Sequence, residues 1–471
     1  ATVDTFLKPN IETGRFQSRS RGRKRIGWCG LLGILSFFPG GLLAVEPPVR
    51  FAEELFPELA TLMEVAATGS TELRLRELRI EERAGDLDVA VARRRPSARL
   101  HGRVMGSYET RQDIPNDFRG DLNANLTLSQ PLYQWGNLKR QEAIAERQIE
   151  LEEIEMESSG ARQFMEIRRA YLNWLLMREQ ETILEQSIAL SERFVAARKQ
   201  LVAAGQSSEQ DVLEMEARLL ENKERLSWVE KNLTDLRHRF IRFAGPDFDP
   251  ATLDGDSLAR IEPMPETAFR DLEERVRGES LQDPLAERYD VLETIETERL
   301  EILEKQHWPM LDLVAGIFSD RLDAVNQDDS VLRLRYFAGV QVNWNLFDSW
   351  QTEGRKRSTL ARRQAYSLRQ AASEADNLRK SESLLADLEL NLRQIEARGK
   401  RERLLDRRMT LLREQAQRDL ITGVELIEGE IDYLDVRRRL MEARVSYLMN
   451  LMEIGLLLEM DPAARYYSPE R

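Results

Sequence analysis

The side chains that most often carry catalysis or grip metals are few in this chain. Three histidines, His101, His238 and His307, lie far apart, and there is one cysteine, Cys29. A single cysteine permits neither a disulfide framework nor a structural zinc site, and scattered histidines make no metal set. No glycine-rich phosphate loop follows a strand pattern, and no nucleophile motif is present. The acidic run "GPDFDPATLDGD" (Gly245–Asp256) lacks the regular spacing of a calcium loop. These residues imply no cofactor and no enzyme. What is left is chemistry by position: carboxylates, guanidiniums and amides that extended elements must align along a surface.

The elements that could do so are long. Glycine and proline are scarce and clustered, which predicts uninterrupted secondary structure. Of the 471 residues 42% are hydrophobic and 32% charged, a composition that folds. A net charge of -13 argues against nucleic acid, which requires a basic face, and Arg93-Arg94-Arg95 reads as a solvated cluster. The segment "RSRGRKRIGWCGLLGILSFFPGGLLA" has a basic start and a short apolar run ending at Ala44. Residues 1–44 are therefore expected to be an export signal rather than an anchor helix. Cleavage after Ala44 would remove seven basic and two acidic residues, taking the net charge from -13 to -18. No later hydrophobic run approaches the length of a membrane helix, so later insertion would have to use strands.

Two stretches begin as strands and finish as helices: "NLTLSQPLYQWGNLKRQ" (Asn125–Gln141) and "GVQVNWNLFDSWQTEGR" (Gly339–Arg355). Val340, Val342 and Leu346 follow Leu126, Leu128 and Leu132 by 214 residues. The same offset carries the seam Leu226, Val229, Leu233, Leu236, Phe240, Phe243 onto Leu440, Ala443, Tyr447, Asn450, Ile454, Leu457, with one polar exception. Strand, break and seam matching together mark an internal duplication. Each copy reads as a helix (about Pro57 to Arg95; about Pro284 to His307), a proline, two strands, and a helix of nearly 70 residues, roughly 100 Å long. A turn and a returning helix complete it. Gly205, Ser207 and Ser208 supply stop and cap chemistry at the first turn; Asp419, Thr422 and Gly423 do so less cleanly at the second. The expected division is a signal at 1–44, a first repeat at 45–245, a linker or side segment at 246–280, a second repeat at 281–462 and a tail at 463–471.

All four strands alternate. Ala98, Leu100, Val104 and Tyr108 oppose Arg99, His101, Arg103 and Ser107; Leu122, Ala124, Leu126 and Leu128 oppose Asn123, Asn125, Thr127 and Ser129. Leu311, Leu313, Ala315 and Ile317 oppose a mixed face holding Asp312, and Ala338, Val340, Val342 and Trp344 oppose Gly339, Gln341, Asn343 and Asn345. Each run has about the ten residues that a tilted strand needs to cross a bilayer. Four strands cannot close a barrel, and open edges are not tolerated in hydrocarbon, so a membrane reading requires several chains to share one barrel. A soluble sheet half-buried against helices fits the alternation equally well. The export signal and the polar second faces favour the membrane.

The motifs "SQPLYQWG", "RRAYLNWLL", "GQSSEQDVLEMEARLLENKERL" and "ARVSYLMNLMEIGLLLE" resemble those of the TolC-like outer-membrane efflux proteins, from about Glu54 to Pro462. The resemblance implies a mainly α fold with a transmembrane β-barrel portion. It implies a homotrimer in outer-membrane lipid, with four strands per chain in a twelve-stranded barrel continued by a periplasmic helical barrel. It also implies passive conduction, with a periplasmic adaptor and an inner-membrane transporter as partners, as in tripartite efflux or type I secretion. A periplasmic coiled-coil adaptor or scaffold protein is the alternative, since it would share the export signal and the hairpins.

By the same resemblance Glu425 and Glu428 align with a paired-carboxylate pore constriction. One helical turn apart they share a face, where crowded carboxylates would attract cations. The family's tyrosine and arginine gate positions fall on Ala416 and Ile421, so Arg413, Arg418 and Asp419 are the expected gate contacts instead. The first tip, with Gly205, Ser207, Ser208 and Asp211, is the expected adaptor contact. Arg99, His101, Arg103, Asn123, Asn125, Gln341 and Asn343 would face the barrel lumen. Tyr133, Trp135, Trp308, Trp344, Phe347 and Trp350 fit either a girdle at the membrane interface or packing where barrel meets helices, the latter favoured for Trp135 and Trp350. Phe164, Ile167, Tyr171 and Trp174 read as helix packing.

Overall fold

The computed structural model describes residues 50–467, apart from 112–113, 206–207, 246–247, 250–252, 254–256, 279–280, 324–329, 419–420 and 422. The expected signal, residues 1–44, lies outside them. The chain opens with α1 (Ala52–Leu55), α2 (Pro57–Gly69) and α3 (Thr71–Ala92), then β1 (Ser97–Arg111) and β2 (Ile114–Tyr133), then α4 (Asn137–Ala203) and α5 (Glu209–Ala244). After α6 (Glu266–Gly278) comes the second copy: α7 (Pro284–Glu304), β3 (Met310–Asp323), β4 (Ser330–Asn343), α8 (Gln351–Gln417) and α9 (Gly423–Leu457), with α10 (Ala464–Tyr467) last.

The offset of 214 residues read from the sequence is reproduced by the backbone. α4 and α8 each have 67 residues and begin and end at equivalent positions, about 100 Å of helix apiece. Their return helices have 36 and 35 residues. The apolar seam is buried in both: Val229, Leu233, Leu236 and Phe240 in α5, Leu440, Ala443, Tyr447, Ile454 and Leu457 in α9, with Asn450 only half-buried. The short helices are pinned to the long ones alike. Gln163 exchanges hydrogen bonds with Ser70 (2.8 and 3.0 Å), and its equivalent Asn377 donates to the Gln282 carbonyl (2.8 Å).

One detail differs from the sequence expectation. The single helix predicted over Pro57 to Arg95 is broken at Ser70, which takes extended dihedrals and caps α3 by accepting from Leu73 N. β2 runs on through Pro131 to Tyr133 by a register shift, where the missing N–H is tolerated. Among the described residues of 246–280, Ala268, Leu272 and Val276 of α6 and Met264 join the main core rather than forming a detached linker. Met264 N donates to Tyr447 Oη at 3.1 Å. Burial pushes the Tyr447 phenol up to about 12.

One charged knot lies inside that core. The fully buried Arg168 of α4 donates to Glu53 Oε1 (2.6 Å) and also bonds Asp461, whose other oxygen accepts from Tyr467 Oη at 2.9 Å. Two carboxylates share one guanidinium, and burial raises the Glu53 carboxyl despite the opposing pull of Arg168. The knot ties the first and last described elements to the middle of α4. Phe164, Ile167, Tyr171 and Trp174 are buried beside it, the packing role expected of them.

Candidate conduction path

The four strands form one antiparallel sheet in the order β1-β2-β3-β4, whose edges β1 and β4 have no strand neighbour among the described residues. Register defines its two faces. Arg99, Thr127, Gly316 and Phe337 pair across the sheet in one row; His101, Asn125, Phe318 and Arg335 pair in the next; Arg103 faces Asn123 beyond them. Side chains alternate along a strand, so these rows share one face with Asp312, Gln341 and Asn343. The other face holds Ala98, Leu100, Val104, Leu126, Leu128, Leu313, Ile317, Val340 and Val342. All seven lumen residues expected from sequence fall on the polar face. Arg335, Phe318 and Phe337 belong there too; extending the β4 alternation by four residues and the β3 alternation by one would have found them.

Both faces are open along the edge strands β1 and β4, but on β2 the apolar side is the more exposed: Leu126 is 43% and Leu128 49% exposed, whereas Asn123, Asn125, Thr127 and Ser129 are half-buried. This inverts the arrangement of a soluble sheet, and among the described residues no helix covers the apolar side. A continuous apolar surface of this kind fits a lipid environment. No described helix is long and apolar enough to cross a membrane. At the helix-proximal end of the polar face, Asn343 Nδ2 donates to Asp312 Oδ2 (3.1 Å), Gln134 to Asp312 Oδ1 (3.4 Å) and Gln341 to Asn343 Oδ1 (3.0 Å).

Each strand turns into its long helix through two residues in the left-handed region: Trp135 (φ 55°) and Gly136 (81°), and at equivalent positions Ser349 (55°) and Trp350 (67°). Asp348 Oδ2 accepts from Thr352 N at 2.8 Å, securing the first turn of α8, and the Thr352 bonds hold its carboxyl below the usual range. Tyr133, Trp135 and Trp308 stack edge to face at 4.7 and 4.4 Å, and the Trp135 indole donates to the Pro309 carbonyl (2.7 Å). Trp135 thus packs as expected. Trp350 is 76% exposed in this chain, touching Phe347 edge to face.

At the opposite end are the hairpin tips. The first closes on Gly205 (φ 70°), whose N–H donates to the Val202 carbonyl (2.9 Å), and Ser208 caps α5 by accepting from Gln210 N (3.2 Å). Ser207 and the Asp211 side chain lie outside the described residues. At the second tip Glu425 and Glu428 are both exposed on the first turns of α9, where the helix N-terminus favours negative charge. Arg413 pairs across the hairpin with Glu430 (3.2 Å), and the backbone of Arg418 closes α8. Asp419 lies outside the described residues. Gly429 lets α9 approach α8 closely, for a Cβ there would stand 2.6 Å from Leu412 Cδ1.

An open sheet with an apolar face continues into two helical hairpins longer than a bilayer is thick. Residues 62–245 match the family model described as Outer membrane efflux protein. The fold is similar to the outer-membrane channel OprN, at 17% identity over 88% of this chain and 93% of that one, with a TM-score of 0.68. It is also similar to the CmeC outer membrane channel of Campylobacter jejuni (12% identity, 94% and 97% covered, TM-score 0.68). The outer membrane protein VceC of Vibrio cholerae gives 14% identity, 85% and 96% covered, and a TM-score of 0.64. No curated protein matches in sequence. Residues 62–245 thus match the outer membrane efflux protein family, and the chain as a whole has the fold of these outer-membrane channels. The adaptor alternative accounts for neither the sheet nor the family match.

Proposed function

We propose that three copies of this chain build one passive conduit, with the polar sheet faces lining its outer-membrane lumen and the helical hairpins its periplasmic wall. The observation that carries this reading is the open sheet, apolar outward and unpaired at both edges, which three copies would close into twelve strands. The duplication adds support. Within one chain α7 packs on α4; by the same 214-residue relation, α3 of a neighbouring copy would pack on α8. The apolar residues Leu75 and Leu78 of α3, about half exposed, suit that role.

The second tips would meet at the axis, where Glu425 and Glu428 from three chains form the narrowest, cation-attracting ring. Arg413, Arg418 and Asp419 would supply contacts of the closed entrance, with the Arg413–Glu430 pair stiffening each hairpin. The first tip, Gly205 to Asp211, would receive a periplasmic adaptor that couples the duct to an inner-membrane transporter. The test is single-channel conductance in a planar bilayer. A small cation-preferring conductance that loses its preference in Glu425→Ala/Glu428→Ala is the expected result. A conducting protein indifferent to the double substitution would remove the constriction, and well-folded protein without conductance would remove the conduit.

A further inference from the structure

We propose that the lumen face carries a binding band for aromatic organic anions, formed where register brings Arg99, His101, Arg103, Phe318, Arg335 and Phe337 together. The proposal rests on the reading that this face lines the conduit. The band covers adjacent cross-strand rows. Three interstrand steps of about 4.8 Å and two row steps of about 6.6 Å give a patch of roughly 14 by 13 Å, the size of a fused-ring carboxylate.

Three features separate this patch from ordinary solvated charge. First, among the described residues Arg99, Arg103 and Arg335 have no carboxylate partner, although the exposed arginines of the helices are commonly paired, as Arg218 with Glu214 and Arg393 with Glu389 are. Of the acids that register places on this face, Asp312, whose side chain is described, already accepts from Asn343 and Gln134. Second, the Phe337 ring lies over Gly316: its Cζ stands 2.8 Å and its Cε1 3.0 Å from where a Cβ would sit. The glycine makes a seat that holds the ring against the sheet, while Phe337 stays 41% exposed toward the lumen. Third, Phe318 pairs directly with Arg335, and Phe337 follows Arg335 by two residues on the same face of β4, so two rings flank one guanidinium. An aromatic ring stacks on a phenylalanine while its carboxylate meets a guanidinium, and neither contact alone explains the arrangement.

The experiment uses the full-length protein in a planar bilayer with naphthoate added from the barrel side, and acetate as the anion without a ring. Naphthoate is expected to interrupt the current at concentrations where acetate does not. Arg99→Gln/Arg103→Gln/Arg335→Gln is expected to raise the half-blocking concentration about tenfold with open conductance retained. Phe337→Leu, which keeps every charge, is expected to raise it about threefold. Equal block of wild type and both variants, or block by acetate as strong as by naphthoate, would overturn the band and leave the conduit standing. Absence of conductance from folded protein would overturn the conduit and the band with it.

Discussion

α4 and α8 are superimposable in length and position within their repeats, yet one is a core helix and the other an edge. Ile154 in α4 is 7% exposed and its equivalent Leu368 is 73% exposed; Phe164 is 0% and Leu378 53%. Backbone geometry was duplicated; burial was not. Ile154 is covered by Val291 and Ile295 of α7, an element that the second repeat lends to the first. Nothing within one chain can lend the same cover to α8. A duplicated protomer with two hairpins leaves one apolar stripe over, and the economical way to cover it is with another copy.

The sharpest way to break this comparison is charge. Arg168 of α4 is fully buried between Glu53 and Asp461, while the equivalent Glu382 of α8 is exposed. Arg168→Ala would leave two carboxylates facing each other in the core, and a loss of about 3–5 kcal/mol is expected from denaturant unfolding. Glu382→Ala should stay within about 0.5 kcal/mol of wild type. Comparable losses from both would mean that the helices are not core and edge at all.

Duplication was legible in the sequence because strand alternation, the glycine-proline punctuation and the apolar seam each survive an offset of one fixed length. The polar strand face was legible for the same reason, since a period of two assigns every residue to a side. The tip carboxylates came from resemblance alone. The Arg168 knot was not legible: Glu53 and Asp461 lie 115 and 293 residues from Arg168, and no local pattern distinguishes a buried arginine on a helix from a solvated one. The break at Ser70 was missed because Gly69 and Ser70 sit inside an otherwise continuous helical period, where the cap bond from Leu73 N and the tertiary bond to Gln163 together decide the outcome.

The comparison sharpens if α8 is altered where it is bare. Leu368→Asp should leave the detergent-solubilised protomer folded with an unchanged unfolding midpoint, because the side chain is already in solvent. Its expected effect is on assembly, a shift from trimer toward monomer in light scattering of about tenfold in the association constant, as for a charge placed in an interface. Ile154→Ala should do the reverse, lowering protomer stability by about 2–4 kcal/mol through a core cavity while the surviving folded protein still assembles. Assembly indifferent to Leu368→Asp would mean that the bare stripe of α8 is not where copies meet.

The smallest effect tests the two strand-to-helix turns. Gly136 and Trp350 occupy equivalent left-handed positions, at φ 81° and 67°. A glycine pays nothing there, whereas a residue with a Cβ pays about 1–2 kcal/mol. Gly136→Ala is therefore expected to destabilise by about 1 kcal/mol, and Trp350→Gly to stabilise the detergent-solubilised protomer by a similar amount, since its indole is mostly exposed and loses little packing. In a bilayer the sign should change: an exposed tryptophan at the end of the strands sits at the level where aromatic side chains anchor barrels. Unfolding midpoints of Trp350→Gly measured in detergent and in vesicles would separate the two contributions. A variant stabilised equally in both would leave the strained tryptophan without a membrane role, and the second turn would then differ from the first only in cost.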